Sequence, residues 1–174
     1  MTLRRAFLWF WVGGLVLFAG VIALGLPLVL TAVPGGILDH QAAATAAEVD
    51  RIQAAWRQAG LWNQAVVAMA ADLVFIGVYG VGCVLGGLYY RSAEQGWARA
   101  MGTTALVAGA IFLGTDYAET ISQIIQLWQF RGDDGLAGLA AQVRPIKMAA
   151  FVVATLSLIV LLAAGRTGKI SVSR

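Results

Sequence analysis

The hydrophobic and polar positions fall into four long apolar stretches, roughly residues 6–31, 64–90, 100–128 and 145–165, separated by shorter segments that collect charge and glycine. A membrane-crossing helix needs about 20 mostly apolar residues, because the hydrocarbon core is about 30 Å thick and each helical residue rises about 1.5 Å. All four stretches reach that length. In lipid, only a helix satisfies its backbone hydrogen bonds within one segment. The pattern predicts an all-α fold, a four-helix transmembrane bundle forming one integral membrane domain over residues 1–174. The opening Leu3-Arg4-Arg5 and the apolar run behind it have the flavour of a signal peptide, but that run is roughly twice a normal h-region, so it reads as a retained first span.

Between the first two spans the pattern changes. Pro34-Gly35-Gly36 breaks the chain, and Leu38, Ala42, Thr45, Val49, Ile52, Trp56 and Ala59 then recur at alternating steps of four and three. This predicts an amphipathic extracytoplasmic helix over about 38–59, closed by Gly60, with Asp39 as its N-cap. Its polar face carries His40, Glu48, Asp50, Arg51 and Arg57, and His40 reads as solvated. Two alanines and a threonine among its seven positions thin the apolar stripe, which suits a cap on the bundle better than a coiled-coil seam. Arg131-Gly132-Asp133-Asp134-Gly135 reads as a solvated turn, because the spacing and closing glutamate of a calcium loop are missing.

Charge sets the direction of the spans. Arg4, Arg5, Arg91, Arg99, Arg166, Lys169 and Arg174 lie on one side against Glu94 alone. Arg51, Arg57, Arg131, Arg144 and Lys147 on the other are matched by Asp39, Glu48, Asp50, Asp133 and Asp134. Cytoplasmic loops carry the Lys and Arg excess, so both termini are expected in the cytoplasm of a multi-pass inner (plasma) membrane protein. The tryptophans agree, with Trp9, Trp11 and Trp97 at inner ends and Trp56, Trp62 and Trp128 at outer ends, where such rings favour the headgroup level.

An apolar share of 60% with 12% charged residues makes lipid the solvent. A scattered net charge of +3 gives no nucleic-acid-binding surface. One cysteine, Cys83, and one histidine, His40, supply neither a disulfide nor a metal site, and no cofactor motif is present.

Membrane helices pack through small residues that let backbones approach. Ala6, Gly13, Gly20, Pro27 and Thr31 share one side of the first span. On the second, Gly82 and Gly86 form a GxxxG pair, with Tyr79 and Asp72 on the same seam. On the third, Ala105, Gly109 and Phe112 lead into Asp116, Glu119, Gln123 and Gln126; on the fourth, Lys147 shares its stripe with Ala150, Ala154 and Ser157.

Charges on small-residue faces are expected to meet one another rather than lipid. With span centres near residues 77 and 115, Asp116 lies near the midplane, and Asp72 and Glu119 lie about 6–8 Å toward the outer side. Lys147 lies further out, with a flexible stem able to reach inward. A charged side chain at the bilayer centre costs at least about 2.5–3.5 kcal/mol, which argues for a compensating use. Asp72, Asp116, Glu119, Lys147, Gln123, Gln126 and Tyr79 are therefore the candidate ligand- or ion-binding residues, with Asn63 and Gln64 at the outer end. Three readings follow: a site that binds or conducts a proton, a cation or an amine-bearing ligand; a network that fixes helix register in an accessory subunit, packing on a membrane partner or a second copy through glycine-rich faces; or an enzyme using carboxyl acid/base chemistry on a lipid-soluble substrate.

The run Leu113-Gly114-Thr115-Asp116-Tyr117-Ala118-Glu119-Thr120 resembles an Asp-x-x-Glu-Asn motif of small, functionally uncharacterised four-span bacterial membrane proteins. Thr120 stands where that motif prefers Asn. The resemblance covers one helix and implies a shared fold and a shared acidic pair; it implies no activity.

Overall fold

The computed structural model describes residues 1–172, which are all-α: six α-helices and no β-strand among them. Helix α1 spans Leu3–Gly25 and ends in a 3-10 turn at Leu26–Leu28; α2 is Ile37–Ala42, α3 Ala46–Gln58, α4 Trp62–Arg91, α5 Gly96–Trp128 and α6 Asp134–Arg166. The first stretch through Leu28, and α4, α5 and α6, are each long and apolar enough to cross a membrane. The fold is a four-helix bundle of membrane-spanning character.

Contacts divide the chain into two compact units, and each of the four long helices passes through both. Among the described residues, the first comprises 1–16, 76–114 and 146–172. It is built on close backbone approach. A Cβ on Gly14 would lie 2.5 Å from the Cα of Tyr79, one on Gly82 2.6 Å from the backbone nitrogen of Trp11, and one on Gly87 2.5 Å from that of Leu106. The face that α1 buries is Phe7, Trp11 and Gly14, not the stripe through Gly13 and Gly20. Two aromatic side chains and one glycine outweigh a longer row of small residues, because the rings supply the contact area and Gly14 supplies the approach. Trp11 is accordingly a core residue rather than a headgroup anchor, whereas Trp9 is exposed as expected. At the end of this unit, Glu94 N–H donates to the Ser171 carbonyl at 3.0 Å and Ser171 N–H to Gln95 Oε1 at 3.0 Å, tying the C-terminal segment to the turn between α4 and α5.

The second unit comprises residues 17–75 and 115–145. Its core gathers Leu28, Val33, Val49, Ile52, Trp56, Ala65, Met69 and Leu127. Here the expected single amphipathic helix is two. The chain turns extended at Ala43–Thr45, and Thr45 caps α3, its Oγ1 accepting from Glu48 N–H at 3.3 Å. Leu38, Ala42 and Ala59 are consequently exposed, while Val49, Ile52 and Trp56 carry the buried stripe. Asp39 is not an N-cap. It lies in the first turn of α2, behind Gly36, and its Oδ2 accepts from Gly35 N–H at 2.8 Å. Trp56 is a second tryptophan drawn inward, its indole N–H donating to the Leu28 carbonyl at 3.0 Å.

Helix α6 starts eleven residues before the expected position, with Pro145 inside it. Asp133 sets the start, its Oδ1 accepting from Leu136 N–H at 2.9 Å. A proline costs an interior helix about 3 kcal/mol, and here it is carried on an exposed face. The preceding loop is bonded rather than merely solvated. Gly132 N–H donates to Asp50 Oδ1 at 2.6 Å, and Ala46 N–H to Asp134 Oδ1 at 2.7 Å, which clamps the loop to the start of α3.

Candidate functional site

The polar stripe of α5 is wholly internal. Asp116 is 3% exposed and Glu119 0%, and Gln123 and Gln126 are buried with them. Steps of three, four and three place all four on one side of a helix, and the exposed Ile121, Ile125 and Trp128 mark the other. Helix α5 begins at Gly96, so its middle residue is Phe112 and Asp116 lies about 6 Å from that helix midpoint.

Two side-chain bonds fix α4 against this stretch of α5. Thr120 Oγ1 donates to Asp72 Oδ2 at 3.1 Å, and the Tyr117 hydroxyl donates to the Leu73 carbonyl at 3.2 Å. Asp72, half-buried, is thereby held one residue along from Glu119. Gln123 extends its amide nitrogen to within 3.5 Å of Glu119 Oε1, at the long limit of a hydrogen bond. Asp72, Asp116, Glu119, Gln123 and Gln126 all belong to the second unit.

Gln126 has a structural task there. Its Nε2 donates to the Ser122 carbonyl at 3.2 Å and its Oε1 accepts from Asp133 N–H at 3.0 Å, so both ends of the amide are used in joining α5 to the loop before α6. Gln64 does similar work, donating to the Leu24 carbonyl at 2.6 Å near the end of α1, where the helical ladder runs out. Tyr79 and Lys147 belong to the first unit. Tyr79 is buried, with its hydroxyl bonded to Thr155 and its ring 5.3 Å from Phe112 and 5.1 Å from Phe151. Lys147, just past Pro145, is buried on the same stripe as Ala150, Ala154 and Ser157, as the spacing predicted.

Two participants escaped the sequence reading. Thr120 lies four residues past Asp116, a spacing that marks it as part of the same row. His40, expected on the solvated face, is enclosed, 1% exposed, with its Nε2 3.4 Å from Gln53 Nε2 and its ring 5.2 Å from that of Trp56. Burial alone pushes its pKa down to about 4. The break before Thr45 turns α2 so that His40 faces inward, and hydrophobic spacing read across that break could not show it.

Among the described residues, no three His, Cys, Asp or Glu side chains gather as metal donors. What the site offers chemically is carboxylate oxygen supported by hydroxyl and amide donors, a set suited to protons and cations. Comparison with known proteins found no matching family model, curated protein or solved structure.

Proposed function

We propose that this is a small inner-membrane protein whose buried carboxyl groups bind or conduct a proton, a cation or an amine-bearing small ligand entering from the extracytoplasmic side. The reading rests on one observation: Asp116 and Glu119 are enclosed on an internal helix face, with Asp72 tied to the same stretch by Thr120. Ionisable groups within membrane spans are rare and expensive, and they concentrate where ions or protons are handled. The excess of Lys and Arg around both termini and the α4–α5 turn supports cytoplasmic termini, and in that orientation the Gln123 end of the stripe faces the outside.

The test is flux and its dependence on the acids. Proteoliposomes loaded with a pH-sensitive dye are given an imposed sodium, potassium or methylammonium gradient, and wild type is compared with Asp116→Asn and Glu119→Gln. A dye response that both substitutions abolish, in protein that keeps its helical circular dichroism, supports the reading. A response unchanged by either substitution removes these carboxyls from the function.

A second reading, a register-fixing network in an accessory subunit, draws on the same Thr120–Asp72 bond. Within the second unit, Gly20 of α1 and Gly138 of α6 each have open space where an added Cβ would lie, room that a partner helix could use. Co-purification of a stoichiometric partner in mild detergent, with no cation response, would favour it.

A further inference from the structure

Among the described residues, three helix ends close with the same backbone device, and one of them uses an unusual residue. After α3, Gly60 N–H bonds to the Arg57 carbonyl and Leu61 N–H to that of Trp56. After α6, Gly168 and Lys169 repeat the pattern to Gly165 and Ala164. Both glycines are left-handed, with φ of 72° and 71°, as this closure requires. After α5, Phe130 N–H bonds to the Leu127 carbonyl and Arg131 N–H to that of Gln126, but the left-handed residue, φ 54°, is a phenylalanine. A bulky side chain is strained in that conformation, where glycine is not.

Phe130 touches Trp62 and Arg57. The Phe130 and Trp62 rings stack at 4.8 Å with 15° between planes, and the Arg57 guanidinium lies 5.3 Å from the Trp62 centroid and 5.8 Å from that of Phe130. The two rings give the exposed guanidinium an aromatic surface to lie against. Arg57 makes no hydrogen bond or ion pair through its side chain to any described residue, so its fork of N–H donors is available. Trp62 begins one candidate span and Trp128 ends another, which sets this exposed cluster at the level where lipid headgroups lie.

We infer that Arg57, lying against Trp62 and Phe130, is a binding site for the phosphate of a phospholipid headgroup. A planar, weakly hydrated fork matches two phosphate oxygens, and a surface for it to lie against lowers the ordering cost of the contact. The site is separate from the acidic stripe and stands whether or not that stripe conducts ions.

Native mass spectrometry of delipidated protein in detergent tests this, with added phosphatidylglycerol, diacylglycerol of the same chains, or inorganic phosphate. Phosphatidylglycerol adducts should be retained and diacylglycerol adducts lost. Retention should fall about tenfold in Arg57→Gln, the loss of a charge-assisted contact. Phe130→Gly should lower it about threefold while leaving the melting temperature unchanged or higher, because glycine relieves the helix end. Retention unchanged in either variant, equal retention of diacylglycerol, or loss of the lipid adduct to millimolar inorganic phosphate would each overturn the inference.

Discussion

Thr120 donates its hydroxyl to Asp72 Oδ2 across 3.1 Å, joining α5 to α4 beside the buried Glu119. A carboxylate in a membrane-spanning helix needs such a donor, since there is little water to replace it. Thr120→Val, nearly the same shape, should therefore destabilise the protein by about 1–3 kcal/mol, and Thr120→Ser should restore most of that. Thermal unfolding in detergent reads the difference. Equal melting temperatures for all three proteins would show that Asp72 does not depend on this hydroxyl.

His40 makes the second unit acid-sensitive. Its pKa of about 4 in the folded chain lies below the ordinary 6.5, so the folded state binds fewer protons between those values. The neutral ring stabilises the fold fully above about pH 6.5, and that contribution is lost as pH falls toward 4, amounting to about 3 kcal/mol. Protonation also turns the ring's Nε2 into a donor facing the Gln53 amide nitrogen. Hydrogen exchange in α2 and α3 should accelerate across this window in wild type and not in His40→Leu. Identical pH profiles would move the sensitivity elsewhere.

Gly82 tests the packing of the first unit. Its added Cβ would lie 2.6 Å from the Trp11 nitrogen and 2.7 Å from the Trp11 Cα, backbone atoms that cannot swing aside. Gly82→Ala should cost about 1–3 kcal/mol by forcing α4 off α1. Gly20→Ala, with open space around it, should be near neutral. Unfolding transitions that coincide for the two variants would contradict the packing.

The spans were legible because lipid leaves few alternatives: a run of apolar residues long enough to cross must be helical. The buried stripe of α5 and the Lys147–Ser157 stripe of α6 followed from helical spacing for the same reason. The segment outside the spans was not legible in this way. Water permits many chain paths there, and the break at Ala43–Thr45 turned on a local competition between helix and cap that apolar spacing does not report. Pro145 misled in the opposite direction. The fourth apolar stretch begins only there, whereas the bond from Leu136 N–H to Asp133 starts the helix eleven residues earlier. Trp11 and Trp56 show a further limit, since an indole near a span end serves equally as a headgroup anchor or a core residue, and neighbouring helices decide between them.

The most direct measurement of the central claim is equilibrium binding of radiolabelled sodium and methylammonium to the purified protein across a pH series. The account predicts saturable binding of at least one cation, weakened as pH falls because protons compete for the same oxygens, and absent in Asp116→Asn and Glu119→Gln that unfold at the wild-type temperature. Binding of either cation that persists at full strength in both variants, or wild-type protein that binds neither at any pH, would contradict it.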